Sequence, residues 1–438
     1  MRTFIAIIGL LIIGNCLNAQ PIGNFAKFDQ QSYQYYLAGN YKELNKLGKQ
    51  MIDSGTDYYY LRMRLGISAF NRQRYATAIE HFKKALTFNN SDTLAHEYIF
   101  FGYIYSGRNA DALSYREKIA TKLQSANVRK YELTGLKILS AKADYTANNS
   151  PKVNYALVAS NQDYIAENID YTYGLNIKTS WLKESKWSKT LSYNYFSKSG
   201  VTYNEYFPLG TSSDFSQHQL YYKAVKNFYE GFELSFFGSA AFFSGTSTYG
   251  ISTGNQQGFQ QNSSLIKKLA FDYLAGVGFA KREKYFRLDL NASYSNLVGF
   301  NQIRGEGYIT IFPFENAKLY SIHGGLFQYD LTLGSGYNTT NAIGLKVFKP
   351  TGVELGVNFG NAMLSARNSG EMLINSLSQT KWSAYGNINT SLGKGFYLNL
   401  TGFMSETSEF IWDIRTSSII NPNPIQYIGV NFQLIKYF

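Results

Sequence analysis

Two periodicities divide the chain. Over residues 25–147 apolar positions recur at helical spacing, and the pattern itself repeats. Gly39, Gln73 and Gly107 stand 34 residues apart, Tyr41 and Tyr75 keep that interval, and so do Leu44, Ala78 and Ala112. From residue 152 onward the period falls to two. Tyr171, Tyr173, Leu175 and Ile177 alternate with Thr172, Gly174, Asn176 and Lys178. Phe286, Leu288, Leu290 and Ala292 alternate with Arg287, Asp289, Asn291 and Ser293, and Phe396, Leu398 and Leu400 with Tyr397, Asn399 and Thr401. In the last stretch Ile428, Val430, Phe432, Leu434 and Phe438 fall on one side, with Lys436 among them. Tyr427, Gly429, Asn431, Gln433 and Tyr437 fall on the other. Such two-faced strands suit a sheet with one apolar and one polar side.

The first region predicts three helix pairs, at about 25–58, 59–92 and 93–126, and a closing amphipathic helix from Val128 to Ala147. Asn148-Asn149-Ser150-Pro151 breaks that helix and marks the domain boundary. The middle copy carries Leu65-Gly66, Tyr75, Ala78, Phe82 and Ala85. Small residues at Gly66, Ala78 and Ala85 let two helices approach, and Phe82 fills the gap between them. This pattern resembles the tetratricopeptide repeat. Gly48 and Arg116 stand where the flanking copies would carry the aromatic, and Asn89-Asn90 makes the turn usually made by proline. The resemblance implies an α-solenoid whose concave surface is lined by the first helix of each pair. Those positions are Asp29, Tyr33 and Tyr36, then Met63, Ile67, Phe70 and Asn71, then Glu97, Phe101 and Tyr105. They are aromatic and apolar, unlike the Lys and Asn of the family's carboxylate clamp. The expected partner is therefore a periplasmic protein of unidentified kind rather than an acidic C-terminal peptide. The alternative use of each residue is packing on a neighbouring helix.

In the second region short connections (Lys183–Lys186, Asn227–Glu230, Lys281–Lys284, Phe314–Ala317, Lys349–Thr351 and Gly393–Lys394) alternate with longer ones rich in Gly, Ser and Asn. The longer set is Gly200–Asp214, Gly245–Ile266, Leu331–Tyr337, Asn361–Gln379 and Ser408–Pro424, and the brief Leu297–Phe300 is its exception. Short turns at one end and long loops at the other are the asymmetry of a transmembrane barrel. Counting back from the C-terminus, and taking Lys152–Asn161 as the first strand, gives 14 strands, or 12 or 16 if one hairpin is misread. A soluble all-β sandwich is the competing class. The final strand resembles the C-terminal signature of bacterial outer-membrane barrels, which the barrel-assembly machinery reads. Phe432, Leu434, Tyr437 and Phe438 are the residues that match.

Composition sharpens this picture. Of 438 residues 16% are charged and 17% aromatic, with 37 Tyr, 38 Gly and 7 Pro. After the first twenty residues no apolar run is long enough for a spanning helix, so any membrane passage is by strands. Residues 1–19 read as a secretory signal: Arg2, an apolar core from Phe4 to Ile13, and Ala19 at the cleavage site. The single cysteine, Cys16, lies inside it, and Gly14-Asn15 before Cys16 is a poor lipobox. The mature chain would then have no thiol chemistry. The formal charge of +12, one less after loss of Arg2, is scattered rather than gathered into the basic stripe that nucleic acid demands.

Catalytic and cofactor signatures are absent. There is no Cys/His cluster, Walker loop, dinucleotide fingerprint or HExxH, and no metal or cofactor site is expected. Four histidines occur: His81, His96, His218 and His323. His323 shares a strand face with Ser321, but a triad also needs an orienting acid and an oxyanion site. At the level of architecture the chain resembles bacterial outer-membrane proteins that join periplasmic tetratricopeptide repeats to a β-barrel. The resemblance implies a non-enzymatic barrel, in outer-membrane lipid, that anchors a partner-docking module and serves as a conduit. A polysaccharide or solute channel is the alternative, and an outer-membrane enzyme the third reading.

Overall fold

The computed structural model describes residues 25–119, 126–149, 164–183, 186–204, 207–250, 263–297, 300–330, 334–348, 350–362, 366–367, 369, 371–373, 379–408, 411–413, 418–420 and 424–438. The leader expected over residues 1–19, Cys16 within it, and the strand expected over 152–161 lie outside them. The chain divides into two compact units at Tyr131/Glu132. Among the described residues no helix is long and apolar enough to cross a membrane.

The first unit holds seven helices among its described residues: α1 (Phe25–Leu37), α2 (Tyr41–Asp53), α3 (Tyr59–Asn71), α4 (Tyr75–Phe88), α5 (Thr93–Tyr105), α6 (Asn109–Lys118) and α7 (Ala126–Lys130). The pairs α1–α2, α3–α4 and α5–α6 start at the expected residues. Leu44, Ala78 and Ala112, 34 apart, are all fully buried. So are Phe82 and Ala85. Phe82 lies over Gly66, where a Cβ would strike the ring at 2.7 Å, and Leu65 lies over Gly48 at the same distance. Burial of each such side chain contributes about 1.5–3 kcal/mol.

The helix expected over Val128–Ala147 is not formed. Helix α7 ends at Lys130, and Gly135–Asn148 is a strand, β1. Its alternation explains why: Leu139, Ala141, Ala143 and Tyr145 are exposed on one face, while Ser140, Lys142, Asp144 and Thr146 turn the other way. Asn148 therefore ends a strand, not a helix, and the second unit begins at Glu132 rather than at 152.

Beyond two short strands, Ile411–Asp413 and Ser418–Ile420, that extend the sheet from the start of the second strand, thirteen further strands complete the barrel: β2 (Tyr164–Leu182), β3 (Trp187–Asn204), β4 (Phe207–Asn227), β5 (Phe232–Gly250), β6 (Ser263–Arg282), β7 (Phe286–Leu297), β8 (Phe300–Ile311), β9 (Leu319–Asp330), β10 (Gly334–Phe348), β11 (Thr351–Gly360), β12 (Gln379–Gly393), β13 (Phe396–Ser408) and β14 (Pro424–Tyr437). Each pairs antiparallel with its sequence neighbours. Strand β1 also pairs with β14, from Ile138↔Tyr437 to Asn148↔Tyr427, and so closes a 14-stranded barrel. The expected number of strands stands, with β1 in the place given to Lys152–Asn161. The expected loop Gly200–Asp214 is largely ladder instead, because β3 and β4 stay paired up to Asn204↔Phe207. Strands β2 to β6 run 18 to 21 residues, beyond the roughly 9–11 that a membrane crossing requires.

Candidate functional site

The barrel wall separates two chemistries. On the outside Leu175, Ile177, Ile303, Phe327, Leu355 and Phe432 are each more than half exposed. They share their faces with tyrosines such as Tyr171, Tyr193 and Tyr294. The alternation expected for β2, β7, β13 and β14 holds along most of each strand, but Leu288 and Leu398 are only half-exposed, and Tyr437, expected on the polar side, is exposed. In β14, Ile428, Val430, Phe432 and Leu434 are exposed, while Tyr427 and Gly429 are buried. Lys436, the exception on the apolar face, rests its ammonium over the Phe396 ring at 4.3 Å and donates to the Lys394 carbonyl oxygen. A lysine at the rim thus keeps its stem on apolar surface and its charge at the edge.

The inner face is polar. A cavity of about 940 Å³ is lined by Lys142, Lys178, Lys198, Lys223, Arg287 and Arg304, and by Asp144, Glu233, Asp289, Glu306 and Glu371. Arg287 grips Glu233 (Nη2–Oε2 2.9 Å) and Asp289 (Nη2–Oδ1 2.9 Å). Arg304 Nε lies 3.0 Å from Glu306 Oε1, both deeply buried. Amides extend the network: Asn176 donates to Ser192 and Asn194, and Asn389 to Asn399, which donates in turn to Gln433. Deserted polar groups inside the wall would be costly, so these chains of bonds fix the side chains that line the lumen.

Glycines on this inner face receive aromatic rings from the strand opposite. Tyr320 lies over Gly344, Tyr385 over Gly356, Phe403 over Gly429 and Phe237 over Gly276, each a directly paired residue. A Cβ at any of the four glycines would overlap the ring. Tyr320 and Tyr385, laid flat in this way, converge on one carboxylate: their hydroxyls donate to Glu354 at 2.6 and 3.1 Å.

Part of the connection between β11 and β12 folds inward. Within it Ala366–Arg367 pairs with Met372–Leu373. Glu371 meets Lys178 Nζ at 2.7 Å, and its carbonyl oxygen accepts from Asn194 at 2.7 Å. Leu373 donates its N–H to Gln219 and accepts from Gln217, both at 3.0 Å. Its side chain is buried in a pocket of Tyr221, Phe237, Ala241, Leu274 and Leu297. In the sequence this stretch belongs to the long connection Asn361–Gln379, with nothing local to turn it inward. The clue was faint: inward Gln217 and Gln219 lie at a level where a water-filled lumen has no need of buried amides.

The repeat residues fall into two groups. Asp29 and Met63 are used internally. Asp29 accepts from Tyr58 (2.6 Å) and Arg64 (2.5 Å), tying α1 to α3, and Met63 is buried. Burial works to raise the Asp29 carboxyl, and the bonds from Tyr58 and Arg64 outweigh it, so its pKa lies below the usual value. Tyr58, buried and bonded to that carboxylate, is pushed up to about 12. The rest lie at or near the surface. Phe70 meets the rings of Tyr98 (4.9 Å), Tyr75 (5.2 Å) and Tyr105 (5.8 Å), Phe101 meets Tyr105 and Tyr131, and Asn71 donates to Tyr41. Tyr75, Tyr98 and Tyr131 were not among the sequence candidates; burial raises all three phenols. Tyr33 stands exposed with the Arg64 guanidinium 5.1 Å from its ring, and Tyr105 is exposed. Tyr36 packs against the α2–α3 core, Ile67 is half-buried, and Glu97 accepts from Asn127.

The four histidines fall in four separate elements. His96 is a core residue bonded to Tyr115 (2.7 Å), and His81 meets Arg62. His218 lies outside the barrel, bonded to Tyr193. His323 bonds Asn341 on the outer face, which supplies no orienting acid. Among the described residues no group of three or more His, Cys, Asp or Glu could hold a metal.

No protein-family model matches the chain. No curated protein matches it. Solved structures similar to it include the toluene transporter TodX of P. putida, at 8% identity over 69% of this chain and 90% of that one, with a TM-score of 0.42. A Pseudomonas aeruginosa FadL homologue is similar at 9% identity over 76% of this chain and 93% of that one, with a TM-score of 0.42. A point mutant of MamA is similar at 24% identity over 24% of this chain and 77% of that one, with a TM-score of 0.22. Each likeness is one of architecture alone.

Proposed function

We propose that the chain is a non-enzymatic outer-membrane barrel whose lumen conducts small polar solutes and whose repeats dock a periplasmic protein. One observation carries this reading: a closed ladder with an apolar outer face encloses a charged, hydrogen-bonded interior. Closure pairs the backbone groups that hydrocarbon would leave unsatisfied. The outer face suits lipid and the inner face water. TodX is named a toluene transporter; the ion pairs lining this lumen suit polar solutes better than hydrocarbons. The inward Glu371 and Leu373 favour a small solute over a polymer chain. Outer-membrane strands of this pattern, β14 with Phe432 and Leu434 outward, are what the barrel-assembly machinery reads. The short turns then face the periplasm, and β1 begins at that end, directly after the repeats.

Purified full chain in planar bilayers should give stepwise conductance. A correctly folded barrel that remains silent would overturn the conduit. For docking, a photo-crosslinker at Tyr33 or Tyr105 of the full chain in cells should trap one periplasmic protein. Loss of that adduct on changing Phe101 to Ala is expected, and absence of any adduct at both positions would refute docking.

A further inference from the structure

The lumen charges are not evenly paired. Lys142 is matched by Asp144, Lys178 by Glu371 and Arg304 by Glu306, and Lys198 rests over the Phe215 ring. Arg287 alone faces two carboxylates, Glu233 and Asp289, which leaves that group with excess negative charge. Lys223 is the counterpart. Its ammonium lies 6.0 Å from the centre of the Phe237 ring, and among the described residues no carboxylate reaches ion-pair distance from it. The register explains the separation. Lys223 is opposite Phe237 on β5, four residues from Glu233, and Glu233 and Asp289 flank Ala280 of β6. Four residues of strand span about 13 Å of wall, which the side chains narrow. The cavity thus has a positive pole and a negative pole, both inside the same water-accessible space.

We infer that these two poles form a binding site for a small zwitterion such as a short peptide, its carboxylate on Lys223 and its ammonium on Glu233 and Asp289. An anion would answer Lys223 and leave the excess carboxylate unmatched; a cation would do the reverse. A zwitterion satisfies both and adds no net charge to a confined space where unpaired charge is costly. The site rests on the reading of the lumen as open to solutes, and binding and conductance test the two separately.

Titration calorimetry on the full chain in detergent, with glycylglycine, N-acetylglycine and glycinamide as probes, decides the matter. Glycylglycine should bind, and the two analogues, each lacking one charge, at least about tenfold more weakly. Lys223→Met should weaken glycylglycine by about tenfold or more, while Lys223→Arg stays within about threefold of the parent. Each variant is checked for the barrel fold by its unboiled migration on gels. Equal binding of all three probes, no binding of glycylglycine, or an unchanged folded Lys223→Met would overturn the site. Conductance without glycylglycine binding sinks the site and keeps the conduit; binding to a silent barrel does the opposite.

Discussion

Gln73 adopts φ 63° where its counterparts one repeat away, Gly39 and Gly107, adopt 65° and 75°. At all three the chain leaves the first helix of a pair by the same bonds. Gln73 N–H reaches the Phe70 oxygen and Arg74 N–H the Ala69 oxygen, and Gly39/Asn40 and Gly107/Arg108 repeat the pattern. This is the Schellman closure, which favours glycine because a side chain strains the left-handed conformation by about 1–2 kcal/mol. Gln73→Gly should therefore stabilise the repeats by about 0.5 kcal/mol after the flexibility of glycine in the unfolded chain is offset. Denaturant unfolding followed by helical ellipticity would show a higher midpoint, and a lower one would refute the assignment. Asp29 and Tyr58 set the pH range of the same unit. The folded Asp29 pKa is lowered, so its contribution is present above the ordinary carboxylate value and is lost as pH falls through the lowered one. The folded Tyr58 pKa is raised to about 12, so its contribution holds below the unfolded value of 10.0 and disappears as pH climbs between the two. Repeat stability should thus decline at both extremes. Asp29→Asn should flatten the acid limb in thermal melts across pH; an unchanged acid limb would show that this carboxylate is not responsible.

The elements were legible to different degrees, for physical reasons. Helix pairs α1 to α6 announced themselves because small residues recur where helices touch, as at Gly66 and Ala78. Strands β2, β7 and β14 announced themselves because lipid and lumen demand opposite side chains on alternate residues. Strand β1 did not, although Leu139, Ala141, Ala143 and Tyr145 alternate with Ser140, Lys142, Asp144 and Thr146. Alanine, lysine and leucine have high helix propensity, and that local preference obscured the period until pairing on both sides decided it. The inward segment was illegible for a different reason. Its position depends on contacts across the lumen, from Glu371 to Lys178 and from Leu373 to Gln217 and Gln219, which no local pattern encodes. Those contacts are testable as an element. Replacing Gln217 and Gln219 together by Ala removes two bonds to the Leu373 backbone, each worth about 1 kcal/mol. The segment should then leave the wall more often, and single-channel conductance should rise or flicker. Identical conductance traces for the parent and the double variant would show that the segment does not narrow the path.

At the scale of the whole molecule the decisive join is between Tyr131 and Glu132, where one compact unit ends and the other begins. An anchor strand sits directly after that join. Strand β1 closes the barrel by pairing with β14 on one side and β2 on the other, so its removal exposes two edges at once. Open edges in hydrocarbon leave backbone donors and acceptors unpaired, at several kcal/mol for each. Two truncations, refolded beside the full chain, separate this account from a boundary at Pro151. A chain beginning at Glu132 retains all 14 strands and should refold into a barrel that migrates differently before and after boiling. A chain beginning at Lys152 lacks β1 and should give a single unfolded band in the same detergent. If the shorter chain also shows the folded band, β1 is dispensable, closure must come from elsewhere in the sheet, and the strand assignment at Gly135–Asn148 fails. If neither shows it while the full chain does, the repeats are needed for the barrel to fold, and the two units are not independent in the way their separate cores imply.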